Sequence, residues 1–215
     1  MNTTIRAVLW DFGGVITTSP FDAFEHFERT HNLPRDFLRS INATNHTTNA
    51  WARFEASHSS IDEFDAEFAA ESVAAGYEVR GRVVLGLLGG RVRPRMVEVL
   101  KTCKQHYQVV CLTNNMNTGE GPGIWGSPER VAEVDAAMAL FDEVIESSKI
   151  GLRKPDPRIY ALACERMRTA PAEVVYLDDL GINLKPAKVL GMHTIKVTSE
   201  AQAITDLGKV LEINF

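Results

Sequence analysis

Cysteine is scarce and follows no recognisable spacing: Cys103, Cys111 and Cys164 are an odd three in 215 residues, with no CxxC pair. That argues against a disulfide framework and a thiolate zinc site, and each thiol reads as buried filler in a reduced compartment. No window approaches the roughly 18 consecutive apolar residues of a membrane span. The opening residues MNTTIRAVLW lack a charged leader followed by a long apolar stretch, so the cytoplasm is the expected location. An excess of basic residues is missing too. The 23 Lys and Arg stand against 28 Asp and Glu, a formal net charge of -5, which leaves no footprint for nucleic acid or an anionic membrane. Internal repeats and low-complexity tracts are also absent. What is present is an ordinary globular composition, 45% apolar and 24% charged, suited to a monomer or homodimer whose partner is a small diffusible molecule.

The length favours one core carrying a sizeable insertion over two full domains. Four short apolar runs read as buried parallel strands: AVLW at 7–10, VVCLT at 109–113, VVYL at 174–177 and TIKV at 194–197. FDEVIES at 141–147 is a fifth candidate. Helical patterns separate them, in PRMVEVLKTCKQH, PDPRIYALACERM and NLKPAKVLGM. Strand and helix in alternation predict an α/β fold, a doubly wound parallel sheet with helices on both faces. Between residues 19 and 88 the alternation stops, and apolar and aromatic residues recur at helical spacing, as in FDAFEHFERTH and IDEFDAEFAAESVAAG. This segment is expected to be a helical cap on a core made of 1–18 and 89–215. GGVITTSP and GLLGGRVRP, which flank it, are rich in hinge-forming residues.

In a doubly wound sheet, ligands bind beyond the carboxyl ends of the strands. The residues that close the apolar runs here are polar: Asp11 after the first, Thr113, Asn114 and Asn115 at the end of the second, Asp178 and Asp179 after the third. Lys154 follows the fifth candidate, in GLRKPDP, a polar loop from which its removal is expected to leave folding intact. Singly, each has an ordinary explanation as a turn former, helix cap or loop charge. Together they would bring acids, a hydroxyl, amides and an ammonium to one place.

DFGGV, LTNN, GLRKPDPRIY and YLDDLGINLKPAKVLGMHTIKV together resemble the four signature motifs of the haloacid dehalogenase-like hydrolases, which have a Rossmann-like core. The last segment is similar to the N-terminal phosphatase domain of soluble epoxide hydrolases and to a related domain of acyl-CoA dehydrogenase fusions. The resemblance covers about 60 core residues strongly and the cap only loosely. It implies that Asp11 is a nucleophile forming an aspartyl-phosphate on a small phosphorylated substrate. It further implies magnesium held by Asp11, the carbonyl of Gly13 and Asp179, with Asp178 and Asn183 orienting metal-bound waters. Lys154, Thr113 and the amide of Asn114 would balance and cradle the phosphoryl oxygens.

The pattern departs from most phosphatases of that family at Gly13, where a second aspartate normally protonates the leaving group. A metal-independent dehalogenase needs no such acid, and a catalytically weak phospho-metabolite-binding module is a third reading. His46, His58 and Glu55 are candidate substitutes for the missing donor, whereas His26 and His31 read as members of a helix face. Trp51, with Phe54, Phe64 and Phe68, is expected in the cap core or, alternatively, on the substrate wall beside Asn114 and Asn115. The segment 115–130 is long for a strand-to-helix connection and is expected to border the site, with Trp125 against substrate or a neighbouring subunit. Arg130 and Arg153 read as solvated loop charges, with a phosphate contact as the alternative for either.

Overall fold

The structure, a computed structural model, describes residues 4–115 and 123–215. Five strands, β1 (Ala7–Trp10), β2 (Gln108–Thr113), β3 (Glu143–Glu146), β4 (Val174–Asp178) and β5 (His193–Lys196), form one sheet in the order β3-β2-β1-β4-β5. All four pairings are parallel. The continuous apolar runs form central strands because both faces of the sheet are covered. Every residue of β1 is fully buried. Alternate side chains enter two clusters: Val8, Trp10, Val109, Cys111, Val175 and Leu177 on one face, Leu9, Val110, Leu112 and Tyr176 on the other.

Among the described residues, six α-helices belong to the sheet layer: α6 (Pro94–Lys104), α7 (Pro128–Met138), the short α8 (Ser147–Ile150), α9 (Pro157–Met167), α10 (Gly181–Leu190) and α11 (Glu200–Leu211). Their starts follow capping chemistry. Proline occupies the first turn of α6, α7 and α9, where a missing N–H costs nothing, and Ser127 and Asp156 accept backbone amides of α7 and α9. No helix among the described residues is long and apolar enough to cross a membrane.

Between β1 and α6 the chain forms five helices, α1 (Pro20–Thr30), α2 (Phe37–Ala43), α3 (Ala50–Glu55), α4 (Ile61–Ala74) and α5 (Gly81–Leu87). They surround a separate apolar cluster that includes Phe24, Phe54, Phe64 and Phe68. A capping box of Ser60 and Glu63 starts α4. The connections into and out of this layer lie antiparallel. Thr17 bridges Val92, the amide of Thr18 donates to the carbonyl of Arg91 at 2.8 Å, and that of Arg93 to Ile16 at 2.8 Å. Gly90 is therefore packed rather than loose: a Cβ there would fall well inside contact with the Thr18 carbonyl, and one at Gly89 would strike that of Ile124.

A Cβ at Gly90 must push two paired backbones apart, so Gly90→Ala is expected to lower stability by about 1–3 kcal/mol in urea unfolding. Gly86, on an exposed face of α5 with open space around it, serves as the contrast. Gly86→Ala should be neutral or stabilising by up to about 1 kcal/mol.

Candidate active site

Sheet register brings the polar strand ends together. Trp10 pairs with both Cys111 and Leu177, so Asp11, Leu112 and Asp178 form the next row. Side chains alternate along a strand, which carries Asp11 and Asp178 towards the face of Leu9 and Tyr176, under α9 and α10. Asp179 falls out of phase with them and lies over the loop after β1. There its Oδ2 accepts from the Ser19 hydroxyl at 3.3 Å. Gly14, at φ +75°, has no room for a Cβ against that carboxylate. A glycine at 14 therefore answers both a left-handed backbone and a close approach.

Lys154, although its neighbours in sequence are polar, is buried, at 2% exposed. Its Nζ lies 2.8 Å from Asp11 Oδ1 and 2.9 Å from Asp178 Oδ2. The loop that carries it is held by Asn114, whose Oδ1 accepts the Lys154 amide at 2.8 Å and whose Nδ2 donates to the Lys154 carbonyl at 3.0 Å. Asn114 thus uses its side chain to fix the lysine. Asp178 is saturated with donors. Besides Lys154, its oxygens accept from the Tyr176 hydroxyl, from Asn183 Nδ2 at 3.1 Å and from the Leu180 amide at 2.7 Å. The Asn183 carbonyl in turn accepts from the Tyr160 hydroxyl at 2.7 Å.

Oxygens of Asp11, Asp178 and Asp179 all lie within 4.8 Å of one another, so three carboxylates share one ammonium. Burial alone would lower the Lys154 pKa, but Asp11 and Asp178 together carry it above its ordinary value. For Asp11, burial together with Asp178 and Asp179 outweighs Lys154, and its carboxyl is raised well above the usual range. Asp179 is pushed up to about 6, first by burial and then by Asp178, against the pull of Lys154 and Ser19. A divalent cation would relieve this excess, and oxygen donors are the right chemistry for magnesium. Asp11 and Asp179 are the carboxylates with capacity to ligate it, since Asp178 is committed to its four donors.

Above the cluster lies a cavity of about 410 Å³ between the sheet and the helical layer. Asp11, Gly13, Asp179, Lys154, Asn114 and Asn115 line its floor, while Phe21, Phe24, Trp51, Leu88, Ile124 and Trp125 supply an apolar wall. Trp51 has both expected contacts, since it also meets Phe64 edge-on with ring centroids 5.9 Å apart. The Asn115 amide is engaged elsewhere, donating to Glu146 at 2.7 Å and accepting from Ser148. Thr113 closes β2 and is buried. Glu55, at the end of α3, is buried against the cavity and ion-paired with Arg153. Arg130 is turned away from the cavity and donates to the carbonyls of Gly89 and Gly90. His46 lies at the cavity edge, whereas His26, His31 and His58 are exposed and outside it. Of the segment 115–130, residues 116–122 lie outside the described residues; Trp125 packs edge-on to Phe12, with ring centroids 6.2 Å apart.

Sequence reasoning missed Gly14, Ser19 and Tyr176. Tyr176 had a readable signal, because two residues before Asp178 in a strand means the same face. Gly14 and Ser19 had none, since their roles depend on where Asp179 comes to lie.

The central strand thus ends in a carboxylate that is braced by a buried lysine and roofed by the five helices between β1 and α6. The family model for haloacid dehalogenase-like hydrolases matches residues 5–191, and the chain belongs to that family. It is 32% identical over 213 residues to acyl-CoA dehydrogenase family member 10 of Mus musculus, covering 96% of this chain and 19% of that protein. Against bifunctional epoxide hydrolase 2 of Mus musculus the identity is 28%, over 98% of this chain and 40% of that one. The chain therefore spans less than half the length of either relative. Sesquiterpene phosphatase astK of Aspergillus oryzae aligns at 24% identity over 98% of this chain and 99% of its own. Among solved structures, a HAD family enzyme of Bacteroides thetaiotaomicron, in complex with magnesium and inorganic phosphate, is similar with a TM-score of 0.58. The identity there is 18%, over 91% of this chain and 96% of that one.

Two outcomes follow from the buried charges. Unfolded, Asp179 has its ordinary pKa near 3.8, below the folded value of about 6, so the folded state binds the extra proton between those limits. In chelator, stability should fall as pH rises from about 4 to about 6, and Asp179→Asn should flatten that slope. At pH 7 the variant should be more stable than wild type by on the order of 1–3 kcal/mol. Lys154→Ala strands Asp11 and Asp178 and should destabilise the protein by about 3–5 kcal/mol, read from chemical denaturation. Unchanged stability would mean that the ammonium is not buried between them.

Proposed function

We propose that the chain is a magnesium-dependent phosphomonoesterase that works through an aspartyl-phosphate on Asp11, with residues 19–88 as a cap on a core of 1–18 and 89–215. The observation that carries this reading is the charge imbalance, three carboxylates about one ammonium, which calls for a cation where the substrate's phosphate would enter. Magnesium, when bound by Asp11, Asp179 and the Gly13 carbonyl, supplies the positive charge that lets an anionic nucleophile approach an anionic phosphate. Asp11 attacks phosphorus. Lys154 steers the attacking oxygen and offsets charge on the phosphoryl group, while Asp178, Asn183 and Tyr176 hold the lysine in place. Asn114 acts through its grip on the Lys154 backbone and offers its own amide to the phosphoryl oxygens, beside the Thr113 hydroxyl.

The apolar wall above this floor suits a phosphate ester whose alcohol is largely hydrocarbon, in keeping with the substrate class in the name of the Aspergillus relative. Burial of such a body contributes roughly 25 cal/mol per Å² of apolar surface removed from water. Gly13 favours a second reading, metal-independent displacement of halide, because that reaction needs no acid at this position. The clustered carboxylates argue against it, since in the absence of a cation burial, with Asp178 and Asp179 adding to it, holds the nucleophile's own pKa high.

In an assay of p-nitrophenyl phosphate and of alkyl phosphates, turnover should require magnesium and be abolished by EDTA. Asp11→Asn should lower it on the order of 10³-fold or more. Halide released from 2-haloacids in EDTA would sink the proposal in favour of the dehalogenase. Thermal stabilisation by phosphorylated ligands with no turnover at all would sink it in favour of a binding module.

A further inference from the structure

With glycine at 13, the reaction proposed above has no carboxyl two residues after the nucleophile. A hydrocarbon alkoxide is a poor leaving group and must be protonated as it departs. Among the described residues, the groups on the cavity wall able to move a proton are Asp11, Asp179, Lys154, His46 and Glu55. The first two are committed to nucleophile and cation, and Lys154 is bonded to two carboxylates. His46 is exposed, and its backbone carbonyl rather than its ring meets Arg153, at 3.3 Å. Glu55 is left: buried, on the cap side of the cavity, and joined through Arg153 to the loop that holds Lys154.

We propose that Glu55 is the general acid and base of this site, delivered by the cap in place of the carboxyl absent at position 13. The inference rests on the phosphatase reading. In the first half-reaction an Asp11 oxygen bonds to phosphorus as the bond from phosphorus to the alcohol oxygen breaks, and the Glu55 proton passes to that oxygen. In the second, Glu55 takes a proton from water as the water oxygen bonds to phosphorus and the bond to Asp11 breaks. Orthophosphate departs and Glu55 is again protonated.

The ion pair with Arg153 explains how Glu55 acquires its proton. Arg153 lies one residue from Lys154 and on the same wall, so an entering phosphate competes for its guanidinium with charge-assisted bonds. As Arg153 turns to the phosphate, Glu55 is left buried beside the Trp51 indole, and a buried unpaired carboxyl takes up a proton. Arg153 and Lys154 are the charged groups that face it, with Trp51 on its own helix. Burial already raises the Glu55 pKa, although Arg153, the Trp51 hydrogen bond and Lys154 all pull it down.

The test compares kcat/KM for an alkyl phosphate with that for p-nitrophenyl phosphate, whose leaving group departs without a proton. Glu55→Gln should reduce the alkyl value about 10²- to 10⁴-fold and the aryl value by less than about tenfold. Gly13 has open space at its Cβ, so Gly13→Asp in the Glu55→Gln background should restore most of the alkyl activity. In the wild-type background the same change should bring no gain on the alkyl substrate, since a donor is already in place. Equal losses on both substrates, or the alkyl-specific loss appearing in His46→Gln instead, would overturn the assignment. Should Glu55→Gln fail to fold, Gly13→Asp in wild type decides alone: a gain near 100-fold would show that no donor had been present. Turnover of p-nitrophenyl phosphate by wild type with magnesium reports on the phosphatase reading itself, so the two ideas fail separately.

Discussion

One ammonium placed between two buried carboxylates, with a third beside them, is the constraint that organises the molecule. A charge taken out of water must be paired and hydrogen-bonded or it neutralises itself. Lys154 reaches Asp11 and Asp178 only because Asn114 grips its backbone. Asp178 stays in place because Tyr176, Asn183 and the Leu180 amide fill its remaining lone pairs. Tyr160 braces Asn183 from behind. The network draws on β1, β2, β4, α9 and α10, so the central strands, the helices over one face and the reaction centre cohere or fail together.

The layer above has a different part. Its helices pack on their own aromatic cluster and present to the cavity an apolar surface broken by Glu55, Arg39 and the edge of His46. On the proposed phosphatase reading, the chemistry that every phosphate ester shares would fall on the sheet side, and recognition of the organic group on the helical side. The pair of Glu55 with Arg153 connects the two, joining the end of α3 to the loop that presents Lys154.

The fold was legible because apolar runs of four or five residues between helical patterns have few other uses. The strands at 7–10, 108–113, 143–146, 174–178 and 193–196 lie within a residue or two of those runs. The C-terminal helix Glu200–Leu211 passed unremarked, although Ser199 caps it and Ala203, Ile204, Leu207 and Leu211 make its buried stripe. At the site, residues that close strands were readable one by one, since topology alone brings strand ends to one edge. The burial of Lys154 was not readable, because polar neighbours in sequence say nothing about two acids arriving from β1 and β4. Arg130 misled for the same reason: its partners, the carbonyls of Gly89 and Gly90, carry no signal in the side chains. Pairings that span the whole chain, such as Glu55 with Arg153, become visible only once the inserted layer is folded over the sheet.

The two connections to that layer, joined at Thr17 and Val92 and held by Thr18, Arg91 and Arg93, have an evolutionary corollary. The polypeptide departs from the sheet and comes back through a single doorway, with its jambs bonded to one another. A change in the length of what is threaded between them can leave the strands outside in place, and what it must keep is the reach of Glu55 back to Arg153.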